Sequence, residues 1–252
     1  MENTWFWRPA PRINADMRLF CFPYAGGNSV TIYRRWPALL PAKIEVVAIQ
    51  FPGRGNRIGE PQSRRVSDIV APLSRAIAPL LDKPVSFFGY SMGGLICFEL
   101  ARVLRRQYDI EPAHLVMAAR RAPQDMADKK ITYNLPLSQF IEEIQKYNGL
   151  PSQSLKDKEM MGLIIPILRA DMELCQTSTY TPERPFECPI TVFGGYRDEI
   201  AEEDLDLWKE HTRGRFAKYM FPGDHFFINT AEKDMLGILS SQLLSAPQPI
   251  HA

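Results

Sequence analysis

The sequence has few cysteines, and no two of them lie close together. Four cysteines occur in 252 residues, without a C-x-x-C pair. This spacing disfavours both a zinc site and a disulfide framework, so reduced thiols are the expectation. The four are Cys21, Cys97, Cys175 and Cys188.

An excess of charge and long apolar runs are also missing. The 30 basic and 29 acidic side chains leave a net charge of +1, which gives no electrostatic reason to expect a nucleic acid or an anionic membrane as partner. No apolar run approaches the length of a membrane span, and the N-terminal residues lack the charged-then-apolar layout of a secretory signal. We therefore expect a soluble, cytoplasmic protein with no nucleic-acid or membrane partner.

Short apolar runs and helical patterns alternate along most of the chain instead. At this length the alternation predicts a single α/β domain over residues 1–252, with a mostly parallel central sheet flanked by helices and joined by right-handed crossovers. The predicted strands are 17–22, 44–49, 85–88, 114–118, 188–193 and 216–221. The predicted helices are 30–40, 66–81, 95–104, 137–147, 157–169 and 202–211.

The sequence around Ser91 carries the strongest chemical signal. Gly89-Tyr90-Ser91-Met92-Gly93 matches G-x-S-x-G and lies between a predicted strand and an amphipathic helix. In this context a tight turn raises the serine above the sheet edge, and small neighbours are needed to avoid clashes. Ser91 would also stand at a helix N-terminus, where backbone N–H groups favour a developing negative charge. We interpret Ser91 as a nucleophile.

Two loops that follow late strands can supply its partners. Asp198 follows the predicted strand 188–193, and His225 follows 216–221. The order Ser91, Asp198, His225 is that of the α/β-hydrolases, in which histidine relays the serine proton and the acid orients the histidine. The alternatives are Glu199, Asp204 and Asp206 for the acid, and His114, His211 and His251 for the histidine.

An early glycine-bearing loop completes the predicted site. It spans residues 23–29, after the first predicted strand. In serine hydrolases of this kind, one oxyanion N–H comes from such a loop and the other from the residue after the nucleophile. The candidate backbone donors are therefore Ala25 and Met92. No metal site is predicted.

Between about residues 123 and 180 the strand–helix rhythm stops. Two helical patterns, 137–147 and 157–169, flank a break at 148–151, and apolar side chains are dense. Two readings are open: helices packed into the main core, or a helical lid insertion that forms an apolar acyl chamber. We favour the lid, since the insertion falls between strands on the side where this fold places its loops.

Eight segments spread over nearly the whole chain have the sequence patterns of one known family. They are 19–27, 33–36, 51–57, 89–94, 120–123, 168–171, 188–195 and 223–228. Together they resemble the type II thioesterases that accompany polyketide synthases and nonribosomal peptide synthetases. The resemblance departs from the common pattern at Tyr90, where many members have histidine, and at Ala119, where small hydroxyl residues or glycine are commoner.

The resemblance implies hydrolysis of acyl or aminoacyl thioesters held on the phosphopantetheine arm of a carrier protein. This hydrolysis would edit misprimed or stalled assembly lines. The carrier domain would be a transient partner, the enzyme would need no cofactor of its own, and a monomer is the expectation. Basic residues near the lid suggest how the carrier would dock. The hypothesis is that its acidic surface contacts Arg120, Arg121, Lys129 and Lys130.

Three other functions are compatible with the residues alone. A general carboxylesterase or lipase would use the same catalytic residues on oxygen esters. An acyltransferase would pass the acyl group to an alcohol or amine instead of water. A scaffold with a hydrolase fold would have no activity, although an intact serine, aspartate and histidine in this order argue against it.

Overall fold

The computed structural model describes residues 4–125, 130–147 and 157–245. Its centre is a seven-stranded sheet in the order β1-β3-β2-β4-β5-β6-β7. β1 is antiparallel to β3, and every other neighbouring pair is parallel. The predicted fold class, a mostly parallel sheet flanked by helices, is confirmed. The strands are β1 Phe6–Trp7, β2 Met17–Phe22, β3 Ile44–Ile49, β4 Val85–Tyr90, β5 His114–Ala118, β6 Ile190–Gly195 and β7 Phe216–Phe221.

Nine helices are described, together with three short 3-10 turns at 55–57, 78–80 and 207–211. Within the described ranges, no helix is long and apolar enough to cross a bilayer. The helices are α1 Ser29–Tyr33, α2 Trp36–Leu39, α3 Val66–Ile77, α4 Met92–Tyr108, α5 Leu137–Lys146, α6 Lys158–Thr177, α7 Glu202–Asp206, α8 Phe227–Thr230 and α9 Glu232–Ser245.

The helices predicted over 66–81 and 202–211 each end as a 3-10 turn, and the one predicted over 95–104 is longer at both ends. Two further helix predictions need a larger correction. The single helix expected over 30–40 is two short helices, because Pro37 has no N–H to donate to the Tyr33 carbonyl one turn earlier. The helix expected over 157–169 continues to Thr177, with Pro166 inside it. The predicted break at 148–151 lies outside the described residues.

The core lies in two layers, one on each face of the sheet. Alternate residues of each central strand face opposite sides, as the two-residue period of a strand requires. On one face, α3 and α4 cover residues such as Phe20 and Phe87. On the other, α1, α2 and α9 cover residues such as Leu19 and Phe88.

The parallel strands bring their following loops to one edge of the sheet. The loops after β2, β4, β5, β6 and β7 all begin at this carboxyl edge, where ligands bind in open parallel sheets. α5 and α6 lie between β5 and β6 in the chain, so they are inserted next to the same edge. The topology therefore gathers the candidate residues from distant parts of the sequence.

Candidate active site

The turn between β4 and α4 carries Ser91 in a strained backbone conformation. Its φ of 52° and ψ of −113° are of a kind that costs roughly 1–3 kcal/mol for a residue with a side chain. The Ser91 N–H donates to the Ala118 carbonyl at 2.8 Å, which fastens the turn to β5. A β-carbon at Gly93 would lie 2.1 Å from the Phe22 carbonyl oxygen, so only glycine fits there. The turn has the geometry expected of a nucleophile elbow.

His225 connects Ser91 to Asp198. Its Nε2 lies 3.0 Å from Ser91 Oγ, and its Nδ1 lies 3.1 and 3.0 Å from the two carboxylate oxygens of Asp198. Because an ionised carboxylate only accepts, Nδ1 carries the proton and Nε2 is left to accept from the serine hydroxyl. The Asp198 side chain is 1% exposed and that of His225 is 12% exposed. The arrangement can take a proton from the serine as it attacks an electrophilic carbon.

The alternative acids have other positions. Asp204 forms an ion pair with Arg121, and Asp206 forms one with Lys218. Glu199 lines the cavity in front of Ser91. In the described part of the chain, Asp198 is the acid that is hydrogen-bonded to His225.

The two other described histidines, His114 and His211, bind side chains other than Ser91 and Asp198. The Nε2 atoms of His114 and His211 lie 2.8 Å from Thr191 Oγ1 and 2.5 Å from Gln124 Oε1, respectively. Burial, with a smaller effect of a nearby arginine, lowers the pKa of each to about 4, so both are neutral at pH 7. His251 lies outside the described residues. No three histidine, cysteine or acidic side chains in the described ranges come close enough together to hold a metal ion.

The two candidate oxyanion donors border the same cavity as Ser91 and His225. Met92 is the first residue of α4, so its N–H has no partner within the helix. Ala25 belongs to the loop after β2, at the neighbouring strand end. Both residues therefore remain candidate donors to a negatively charged oxygen near Ser91.

Tyr90 holds the segment that carries His225, a role that the sequence did not reveal. The Tyr90 hydroxyl donates to the His225 carbonyl at 2.6 Å and accepts from the Ile228 N–H at 3.3 Å. Burial raises the pKa of this phenol well above its ordinary value, so it stays protonated and can donate. The residue that departs from the common family pattern thus contacts the backbone of the candidate catalytic histidine.

Ala119, the other departure, has a positive φ of 49°. This region favours glycine, which is consistent with the small residues common at this position in the related family. The Ala119 N–H donates to the Phe193 carbonyl at 2.9 Å, and the residue lines the cavity.

A cavity of about 840 Å³ opens in front of Ser91 and His225. α5 and α6 contribute apolar side chains to its wall, among them Ile144, Leu168 and Met172. Such a volume is typical of a site for a small organic ligand or acyl group. The segment that was expected to form an acyl chamber therefore borders the candidate site.

Two of the four basic residues suggested for docking are paired within the protein. Arg121 binds Asp125 and Asp204, and Lys130 binds Glu143. These internal pairs weaken the docking hypothesis. Arg120 lines the cavity, and Lys129 lies outside the described residues.

Known proteins are similar to this chain in sequence or in structure over most of its length. A family model described as the thioesterase domain matches residues 17–243. The gramicidin S biosynthesis protein GrsT of Aneurinibacillus migulanus is 42% identical over 242 residues, which cover 96% of this chain and 94% of the relative. The type II thioesterase BorB from the borrelidin biosynthetic cluster has a TM-score of 0.87 at 29% identity, with 96% of this chain and 99% of BorB covered. The RedJ thioesterase from the prodiginine biosynthetic pathway in Streptomyces coelicolor has a TM-score of 0.85 at 33% identity, with 92% and 87% covered.

Proposed function

The chain belongs to the thioesterase family, as its motifs indicated, and we propose that it is a serine hydrolase that cleaves acyl or aminoacyl thioesters from the phosphopantetheine arm of carrier proteins. In this role it edits misprimed or stalled polyketide or nonribosomal peptide assembly lines. The observation that carries the proposal is the chain of hydrogen bonds from Ser91 through His225 to Asp198, with 3.0 Å between serine Oγ and imidazole Nε2.

The proposed reaction has two steps. Ser91 Oγ attacks the thioester carbonyl while His225 takes its proton, and Asp198 stabilises the resulting imidazolium. The oxyanion of the tetrahedral intermediate accepts hydrogen bonds from the backbone N–H groups of Ala25 and Met92. Collapse of the intermediate breaks the carbon–sulfur bond, and the thiolate leaves as the free thiol of the arm with the proton from His225.

Water completes the reaction. His225 takes a proton from a water molecule that attacks the acyl-serine ester, and the oxyanion again lies between the same two N–H groups. Collapse releases the carboxylic acid and returns the proton to Ser91. No cofactor belongs to this reaction, because the phosphopantetheine arm arrives on the partner with the substrate.

We further propose that residues 123–180 form a lid over an acyl chamber. The apolar side chains that α5 and α6 turn toward the cavity support this. An apolar wall excludes water from the acyl chain while leaving the thioester near Ser91. The carrier protein would remain outside the cavity and insert its arm.

The test is release of acyl groups from a loaded carrier protein by the wild type, Ser91→Ala and Ser86→Ala. Removal of the nucleophile should lower the rate by several orders of magnitude. Ser86 is the matched control, since it is a buried serine of β4, the strand that leads to Ser91, and its hydroxyl makes no hydrogen bond in the described structure. Its variant should release acyl groups at the wild-type rate.

The substrate pattern separates the proposal from its alternatives. Wild-type protein that cleaves oxygen esters but leaves loaded carriers intact would be an esterase. Transfer of the acyl group to an added alcohol or amine in preference to water would identify an acyltransferase. Inactivity in all three assays would contradict enzymatic function.

A further inference from the structure

A buried arginine–aspartate pair joins three segments beside the candidate site. Arg54 Nη1 donates to Asp171 Oδ2 at 2.8 Å and Nη2 to Oδ1 at 2.7 Å. The Gly26 N–H also donates to Asp171 Oδ2, at 2.7 Å. The Arg54 and Asp171 side chains are 5% and 1% exposed. One carboxylate therefore binds a planar guanidinium and a backbone N–H at once, in an arrangement of charge-assisted hydrogen bonds.

The backbone group in this arrangement belongs to the loop of the proposed oxyanion hole. Gly26 directly follows Ala25, and it has a positive φ of 73°. A β-carbon at Gly26 would lie 2.7 Å from Leu168 Cδ2, so α6 packs closely on the same residue. Asp171 and Leu168 stand one turn apart on α6, and they therefore hold the loop by a charged hydrogen bond and by packing.

Burial of an ion pair does not by itself explain the arrangement. Desolvation of two charges usually offsets most of their attraction, so a buried pair is weak evidence for added stability. What this pair provides is a fixed acceptor for one particular N–H. A preorganised oxyanion hole needs its donors held before the reaction begins.

We propose that Asp171, oriented by Arg54, is a positioning residue that fixes the Ala25–Gly26 backbone for oxyanion binding. The proposal rests on the proposed serine-hydrolase function. Because α6 also lines the acyl cavity, the same contact links the wall that meets the acyl chain to the loop that meets the carbonyl oxygen.

The test compares Asp171→Asn with wild type on a simple p-nitrophenyl ester. Asparagine keeps the shape but loses the charge that binds Arg54 and Gly26 together. We expect kcat to fall about tenfold to a hundredfold with little change in KM, somewhat less than when an oxyanion donor is removed. Arg54→Lys keeps the charge but not the two parallel hydrogen bonds. Its kcat should lie between those of wild type and Asp171→Asn.

A second readout separates positioning from general stability. An alkyl trifluoromethyl ketone forms a hemiketal with Ser91 whose oxyanion occupies the same hole, so its affinity should fall in parallel with kcat. Glu183→Gln, which breaks ion pairs of Arg102 and Arg105 elsewhere, should change neither value. Unchanged kcat in both Asp171→Asn and Arg54→Lys, or a loss of kcat with undiminished ketone affinity, would overturn the proposal. Failure on carrier thioesters alone would count against the proposed function and not against this role.

A second observation concerns the far part of the cavity. Met92, Leu95 and Glu99 of α4 line the cavity that contains Ser91. Glu99 lies eight residues beyond Ser91, or about 12 Å along the helix axis. Helical side chains lean toward the N-terminus, so the carboxylate is roughly 7–12 Å from the nucleophile.

The Glu99 carboxylate has one oxygen occupied. Arg102 Nη1 donates to Oε1 at 2.6 Å, and no further hydrogen bond to the Glu99 carboxylate is seen within the described ranges. Burial raises the pKa of Glu99, against the opposing effect of Arg102. The Glu99 side chain is 19% exposed, so its second carboxylate oxygen is accessible to a ligand in the cavity.

The geometry points to a subsite in which Glu99 binds a cationic amine at the distal end of the acyl group. This inference also rests on the proposed function. An α-amino group next to the thioester carbonyl is too close to Ser91 to reach it. The class of substrate is therefore an acyl group with an amine on its side chain or at the far end of a short peptide.

The test measures binding of two thioesters of N-acetylcysteamine by calorimetry in the Ser91→Ala protein, which prevents turnover. The aminohexanoyl and heptanoyl esters have the same length and differ in the terminal amine or methyl group. The amine should bind more tightly, and adding Glu99→Gln should lower the preference by about tenfold. Glu183→Gln is the matched control, because Glu183 binds the same Arg102 but does not line this cavity.

Equal affinity for the two esters, or a preference that survives Glu99→Gln, would refute the subsite. Hydrolysis of the heptanoyl ester by wild-type protein reports the proposed function separately. A protein that hydrolyses this ester but ignores the amine would retain the function and lose the subsite.

Discussion

Tyr90→Phe removes one hydroxyl and keeps the aromatic ring. The ring is fully buried and packs against Phe227 at a centroid distance of 5.2 Å, so the variant should retain the packing. It loses the hydrogen bonds to the His225 carbonyl and the Ile228 N–H. Both backbone groups lie in the segment that positions the imidazole next to Ser91.

The expected loss follows from these two groups. A buried polar group left without a partner costs about 1–3 kcal/mol, and we expect about 2 kcal/mol for the variant as a whole. For a chain of 252 residues, that corresponds to a fall in Tm of about 4–8 °C. Because the His225 backbone becomes less constrained, kcat should fall more than KM rises.

The assay combines thermal unfolding with steady-state hydrolysis of a p-nitrophenyl ester. Tyr219→Phe is the matched control, since its hydroxyl accepts one hydrogen bond from Gln242 Nε2 at 2.8 Å outside the site. The control should lose some stability and keep its kcat. Wild-type Tm and kcat in Tyr90→Phe would show that these hydrogen bonds do not position His225.

Two further predictions concern stability. Gly93→Ala should destabilise the protein strongly and abolish activity, because its β-carbon would lie 2.1 Å from the Phe22 carbonyl oxygen. Gly237→Ala, on the open face of α9, should instead stabilise the protein by up to about 1 kcal/mol. Chemical denaturation measures both changes, and equal effects of the two variants on stability would contradict the prediction. Burial lowers the pKa of His114 from 6.5 to about 4. As the pH falls, the unfolded chain therefore takes up a proton on this histidine before the folded protein does. The free energy of unfolding should fall by up to about 3 kcal/mol between pH 6.5 and pH 4. Urea titrations from pH 7 to pH 4 should show a shallower loss in His114→Gln, and an unchanged slope would exclude this histidine as the cause.

Strands with strong local patterns were predictable from the sequence. The bounds of β2, β3, β5 and β7 agree with the predictions, because each is a short apolar run between turn-forming residues. β1 was missed. Its two residues pair with Ala48 and Ile49 of β3, and a strand this short is defined only by its partner.

Helix ends depended on contacts that the pattern does not contain. The sequence predicts one early helix over 30–40, but Pro37 already interrupts the hydrogen bonds after Tyr33. α6 continues past its predicted end to Thr177, and its later residues meet the protein through Asp171 and Leu174. Tertiary packing there outweighs a weak local signal.

The sequence by itself determined the chemistry that is available: the serine in its glycine-flanked turn, and an acid and a histidine each following a strand. Those signals are local, because the backbone conformation of a tight turn restricts which residues can occupy it. Only the tertiary structure decided which groups meet. Ser91 and His225 are 134 residues apart, and Arg54 and Asp171 are 117 apart. Such pairs form because parallel strands end at one edge of the sheet and an inserted helix packs beside it, and no local pattern encodes that proximity.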